Sequence, residues 1–156
     1  MTTDFAVYDL PVAGGTIGLS PLPGRGGDYA GDLARVLAWT PDGVVSLTKA
    51  VELDEAVTWH ADLRAAGVTV WHLPIVDFGV PDDGFEADLR PVREMLAQGG
   101  RVLVHCKGGC GRSGMIALRL MVESGETAEA ALARLRAVRP CAVETDAQFS
   151  WAAQAG

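Results

Sequence analysis

The chain has 156 residues, enough for one compact domain with a real hydrophobic core. A hydrophobic fraction of 49% against 21% charged residues excludes an intrinsically disordered chain. The formal net charge of −7 excludes a general nucleic-acid binder, which presents a basic face, so any anionic ligand must be drawn in by a local positive field.

No run approaches the roughly 18–20 consecutive apolar residues of a membrane helix. The opening MTTDFAVYDLPVAGG has neither the basic stretch nor the apolar block of a signal peptide. The expected setting is the cytoplasm, with no membrane partner. Eleven arginines against two lysines, with abundant Ala, Gly and Val, suggest a GC-rich bacterial genome. Three cysteines cannot all pair within one chain, and in a reducing compartment they are expected as thiols. Their spacing lacks the paired CxxC modules and histidines of a zinc site, so neither metal nor cofactor is expected.

Residues 5–10 and 16–20 alternate like short strands, with a turn at Gly14–Gly15. Pro21 to Gly27 reads as an irregular loop, and a helix follows from about Asp28 to Trp39 with Leu33, Val36 and Leu37 on one face. Residues 43–47 have the β-branched run of a buried strand. Residues 54–66 are helical in composition and stop at Gly67. Residues 68–73 form another strand before Pro74, and Asp82 or Asp83 is placed to cap a helix over 85–98. Residues 101–104 are the clearest strand, followed by the glycine-rich HCKGGCGRSG and a helix buried on most sides across 115–122. Thr127 caps an amphipathic helix to Val138, with Ala131, Leu135 and Val138 inward, and a last helix starts near Thr145. Strands alternating with helices predict a single-domain α/β fold over 1–156. Its central, mostly parallel sheet has four or five strands, helices on both faces, and loop 105–112 at the carboxyl edge.

The order strand, glycine-rich loop, helix carries the chemistry. A helix N-terminus offers unpaired N–H groups and the positive end of the dipole, and glycines at 108, 109, 111 and 114 let successive N–H groups converge on one anion. Lys107, Gly108, Gly109, Cys110, Gly111 and Arg112 are thus the expected phosphate-binding residues, and phosphate or sulfate is expected to occupy the loop. Cys106 begins the cradle, where the dipole and Arg112 favour the nucleophilic thiolate. Arg112 can grip two phosphate oxygens with its planar fork.

Cys-x5-Arg-Ser at a helix start, in HCKGGCGRSG, resembles the signature of protein tyrosine and dual-specificity phosphatases. GLSPLPG, HLPIVDFGVPD and AVETDAQ resemble segments of the kinase-associated phosphatase branch and small atypical dual-specificity enzymes, so the likeness runs from about Thr16 to Trp151. The resemblance implies a phosphatase fold and hydrolysis of phosphate monoesters through a phosphocysteine. It also implies that Ser113 stabilises the leaving thiolate, that His105 braces the loop, that Asp77 is the general acid, and that Gln148 orients the hydrolytic water. Asp82 and Asp83 are the other acids of that loop, Asp82 being better explained as a cap. Glu144 and Thr145 read as caps of the last helix.

The substrate is expected to be a phosphorylated protein or small phosphate ester. The sequence carries no recognisable deep phosphotyrosine slot, which favours dual specificity over tyrosine alone. Lys107 resembles phosphoinositide phosphatases, but Cys110 replaces the second loop lysine common there. Two other readings stay open: a rhodanese-like sulfurtransferase and an inactive phosphate-binding module. Cys110 and Cys141 read as small loop fillers. Either could instead form a protective disulfide with Cys106 if it lies within roughly 6 Å Cα–Cα.

Overall fold

The computed structural model describes residues 5–53 and 56–154. Among them, strands β1 (Tyr8–Val12), β2 (Gly15–Ser20), β3 (Gly43–Ser46), β4 (Thr69–His72) and β5 (Arg101–His105) form one sheet in the order β1-β2-β5-β3-β4. The β1–β2 hairpin is antiparallel and the remaining pairings are parallel. Helices α1 (Tyr29–Ala38), α2 (Trp59–Ala65), α3 (Phe85–Ala97), α4 (Gly111–Glu123), α5 (Ala128–Val138) and α6 (Asp146–Ala153) cover both faces. This is the α/β architecture expected from the alternation of strand and helix patterns.

The two-residue period of a strand divides the core in two. Val44 and Leu103 point to one face and pack with Val36 of α1 and with Trp59 and Leu63 of α2. Val45, Val102 and Val104 point to the other and pack against α3, α4, α5 and α6 through Leu89, Met115, Leu135 and Ala152. Burial on both faces explains why β3 and β5 read as continuous apolar runs rather than alternating ones. Helix α4 is buried from Gly111 to Met121. Its one buried charge there beyond Arg112 is Arg119, which donates to Glu123 (3.0 Å), to Glu86 and to the Trp151 carbonyl (2.9 Å).

Several boundaries differ from expectation, each for a local reason. The first strand is Tyr8–Val12 rather than 5–10, because Phe5 leaves the sheet to enter the α1–α2 core. The hairpin turns at Ala13–Gly14, both with positive φ, as two-residue hairpins require, and Gly15 already belongs to β2. The helix expected over 54–66 is shorter: α2 begins at Trp59, a 3₁₀ turn occupies Ala50–Glu52, and Asp54 lies outside the described residues. Neither Asp82 nor Asp83 caps α3. Its N-cap is Gly84 at φ 89°, without a side-chain bond, and the aspartates stay in the loop before it. Asp28, Thr127 and Thr145 do cap, each accepting from a backbone N–H of the first turn.

Gly18 of β2 faces α1, where a Cβ would come within 2.8 Å of the Trp39 ring and 2.7 Å of Val7. Replacing it with valine should cost on the order of 2 kcal/mol of stability by overpacking. Urea unfolding would measure this, and an unchanged midpoint would contradict the assigned packing.

Candidate active site

Strand β5 delivers His105 and Cys106 to the carboxyl edge of the sheet, and α4 departs five residues later with Cys110 at its N-cap. Between them, five successive carbonyls find partners in the surrounding scaffold. The His105 Nδ1–H donates to Cys106 O at 3.2 Å. Leu22 N–H and Arg25 Nη1 donate to Lys107 O at 3.0 and 3.4 Å. Arg139 donates to Gly108 O and Gly109 O at 2.8 and 3.0 Å. Gly114 and Val143 N–H groups donate to Cys110 O at 2.9 and 3.3 Å. In a trans peptide the C=O and the next N–H point in opposite directions. These bonds therefore turn the N–H groups of residues 107–111 away from the scaffold, toward a cavity of about 370 Å³ lined by Cys106, Lys107, Gly108, Cys110 and Gly111. Gly109 makes this possible at φ 72°, where a Cβ would sit 2.6 Å from the Ser20 carbonyl carbon.

Cys106 is 3% exposed, and its Sγ lies 3.3 Å from Ser113 Oγ in the first turn of α4. Arg112 is 2% exposed and differs in detail from expectation. Its Nη1 and Nη2 are both held at 2.8 Å by the two carboxylate oxygens of Glu52, and Nη1 also donates to Ile75 O at 3.0 Å. The terminal edge of the fork is thus taken by Glu52. Nε is left buried with no partner among the described residues. A buried orphan donor is costly unless something accepts from it, and an oxyanion would. The Arg112 hydrogen bonds hold the Glu52 carboxyl below the usual range despite its partial burial. Burial acts to lower the Arg112 pKa, but Glu52 and the charges of Cys106 and Asp77 outweigh it and raise it.

Asp77 stands on the other side of the cavity with Phe78. Its side chain is 55% exposed, Oδ1 lies 3.5 Å from Arg112 Nη2, and the same oxygen accepts from Phe78 N–H at 3.0 Å. Asp82 and Asp83 line a separate cleft with Asp88 and His72. Geometry therefore brings Asp77 to Cys106 and leaves the other two acids of that loop elsewhere.

His105 is fully buried behind the nucleophile. Trp59 Nε1–H donates to its Nε2 at 3.0 Å, and Ser46 Oγ lies 2.6 Å from the same nitrogen. With Nε2 accepting, the ring proton sits on Nδ1, facing the Cys106 carbonyl. His60 Nε2 lies 2.9 Å from Ser46 Oγ and extends the network. Burial pushes His105 down to about 3 and, with the charges of His72 and Arg64, pushes His60 down to about 4.

Residues 38–126 match a family model described as a DSP-PTPase phosphatase of polymorphic toxin systems. The chain belongs to the DSP-PTPase phosphatase family. Kinase associated phosphatase (KAP), solved with serine in place of its catalytic site cysteine, superposes with a TM-score of 0.84 at 21% identity, covering 97% of this chain and 94% of that one. Tk-PTP in the active form is 34% identical with a TM-score of 0.67, covering 86% of each chain. The protein tyrosine phosphatase domain-containing protein 1 of Danio rerio is 30% identical over 111 residues, 70% of this chain and 16% of that protein. The chain thus spans about a sixth of the length of that curated relative. Family membership replaces the sulfurtransferase alternative with a phosphatase.

Within this DSP-PTPase chain two expectations need correction, on the cysteines and on Glu144. Cys110 and Cys141 are not free thiols: they are bonded to each other with Cα atoms 5.1 Å apart, and Cys106 stays reduced. The turn after α5 carries Cys141 back onto the loop, so the pairing excludes Cys106. Gln148 is buried with both ends of its amide engaged. Its Oε1 accepts from Glu144 and Thr145 N–H groups in a capping box, and one of the two N–H donors of Nε2 goes to Gly79 O at 3.3 Å, with the amide lying against Gly111 of the loop. Glu144 caps nothing and lines the cavity instead. Glu52 was not among the expected site residues, and nothing in its local sequence marks it.

Three outcomes follow for stability. His105 has a folded pKa far below its ordinary 6.5, so the unfolded chain takes up a proton first as pH falls. Stability should be fully present above pH 6.5 and decline below it, with His105 and His60 each contributing a slope that approaches about 1.4 kcal/mol per pH unit, until His60 also titrates in the folded state near pH 4. Urea melts between pH 7 and 5 would measure the slope; a flat profile would contradict a neutral buried imidazole. Protonation of Glu52 should add a second loss below about pH 4.5, as its depressed carboxyl titrates. Glu52→Ala should destabilise by about 3 kcal/mol at pH 7, because Arg112 is then buried unpaired.

Proposed function

We propose that this phosphatase hydrolyses phosphate monoesters through a phosphocysteine on Cys106, acting on phosphotyrosine and also on phosphoserine and phosphothreonine. The observation that carries the reading is the placement of Cys106 Sγ beside Ser113 Oγ, at the start of a loop whose carbonyls are all tied outward. The phosphoryl oxygens take the N–H groups of residues 107–111 and the Nε donor of Arg112, holding phosphorus in line with sulfur. Lys107 adds positive charge at the same loop.

In the first step the Cys106 thiolate forms the P–S bond as the P–O ester bond breaks. Asp77, protonated, gives its proton to the departing oxygen. In the second step a water attacks phosphorus and loses its proton to the Asp77 carboxylate. The P–S bond then breaks, and the electron pair returns to sulfur, where the Ser113 hydroxyl donates a hydrogen bond to it. His105, through Nδ1–H on the Cys106 carbonyl, keeps the peptide after Cys106 turned toward the phosphate.

Phe78 and Val76, each 59% exposed, present apolar surface beside Asp77 and suit the side chain or ring that carries the phosphate. The reading covers residues 1–156 as one phosphatase domain working in the cytoplasm on phosphorylated proteins or small phosphate esters. An inactive phosphate-reading module is disfavoured because Cys106, Asp77 and Arg112 meet in one place.

Cys106→Ser should lower aryl-phosphate hydrolysis by at least about 10³-fold, and full activity in that variant would sink the mechanism. Asp77→Asn should cost roughly 10²–10⁴-fold on phosphoserine peptides. The loss should be much smaller on p-nitrophenyl phosphate, whose leaving group needs little protonation. Equal losses on both would remove Asp77 from the acid role.

A further inference from the structure

The peptide between Gly108 and Gly109 has no side chain on either flank, so nothing in its own covalent structure fixes which way its N–H points. A cradle built on that peptide needs an external anchor. The structure supplies one from the far end of the chain, beyond the residues matched by the family model. Arg139, just past α5, donates from Nη2 to Gly108 O at 2.8 Å and from Nε to Gly109 O at 3.0 Å. Its guanidinium lies 4.4 Å over the Tyr8 ring of β1, which fixes the plane of the fork.

We propose that Arg139 is the positioning residue that holds both glycine carbonyls outward and so keeps the N–H groups of Gly109 and Cys110 aimed at the phosphoryl group. The proposal rests on the reading of loop 106–112 as the phosphate site. A planar fork presents donors at fixed spacing to two successive carbonyls, whereas a lysine would have to bridge both from one freely rotating ammonium on a flexible stem. The backbone beyond Arg139 reinforces the same contact: Cys141 is bonded to Cys110, and Val143 N–H donates to Cys110 O. The guanidinium also lines the catalytic cavity, so its charge acts on the same anion. Arg139 need not touch substrate. Its positioning effect passes through the backbone, and only its charge acts through space.

The test is competitive inhibition of aryl-phosphate hydrolysis by inorganic phosphate and orthovanadate, measured beside thermal unfolding. Arg139→Ala should weaken both inhibitors by on the order of tenfold or more, the loss expected when two charge-assisted bonds to the loop are removed. Arg139→Lys should keep the fold and charge yet recover only part of the affinity, and Tyr8→Leu should shift it in the same direction by less. A purely structural role would lower the melting temperature and leave the inhibition constants of the folded enzyme unchanged. Wild-type phosphate affinity in folded Arg139→Lys and Tyr8→Leu would overturn the proposal even if Arg139→Ala failed to fold. Failure of the wild-type enzyme to bind either oxyanion would instead overturn the site reading beneath it.

Discussion

A ring of amide N–H groups facing an anion can exist only if the carbonyls on the back of the same peptides are satisfied elsewhere, since buried backbone groups left unpaired cost as much as the bonds are worth. That requirement organises the molecule around residues 106–110. The carbonyl of Cys106 is met by an imidazole from the end of β5, that of Lys107 by the segment leaving β2, those of Gly108 and Gly109 by the residue ending α5, and that of Cys110 by the approach to α6. Parts of the chain far apart in sequence have to converge on one loop before it can bind anything. The parallel order β2-β5-β3 brings β5 to the middle of the sheet and makes that convergence possible.

Electrostatics adds a second layer. The molecule is acidic overall, so the site must generate its own positive field from the α4 N-terminus, Arg112, Lys107, Arg25 and Arg139. Burying Arg112 under the cavity is costly unless its charge is balanced, and Glu52 balances it with both oxygens while leaving Nε unspoken for. The carboxylate orients the guanidinium and also partly neutralises it. In the proposed reaction the donor that remains is fixed in place before substrate arrives, which is the condition for stabilising a transition state without reorganisation.

What the sequence disclosed and what it withheld divide along contact range. The strand 101–104, the glycine loop and the helix after it were legible because adjacent residues carry the whole signal: β-branched run, glycines, cysteine and arginine at fixed spacing. Thr127 and Thr145 as caps were legible for the same reason. Glu52 was not, because its meaning comes from a partner 60 residues away, and the run around it reads as an ordinary charged segment. Arg139 reads as the end of a helix, which it is, without any sign that its side chain reaches back to Gly108. Gln148 stands out in the sequence, and the capping box that its amide oxygen closes is a short-range motif readable in TDAQ. The Cys110–Cys141 bond was not legible because composition and compartment argue for thiols, while the decisive fact is a 5.1 Å approach created by packing α5 against α4.

Among the described residues four non-glycines have positive φ: Ala13 in the hairpin turn, Thr40 after α1, and two near the cavity. Phe78 at φ 61° and Val143 at φ 65° are bulky residues in the left-handed region, where side chains other than glycine are disfavoured by about 1–2 kcal/mol each. Phe78 lines the cavity beside Asp77, and Val143 precedes Glu144, which lines it too. Each distortion is compensated locally: Phe78 N–H is captured by Asp77 Oδ1, and Val143 both donates to Cys110 O and accepts from Arg136 at 2.7 Å. In the first case the twist orients a carboxylate toward the cavity. In the second it lets the backbone pass close enough to the loop to serve the last carbonyl of the cradle. A relaxed backbone at either position would be locally more stable, but it would lose the contact that the anion site needs. These two residues therefore belong to the same construction as the outward carbonyls, one beside Asp77 and one beside the loop.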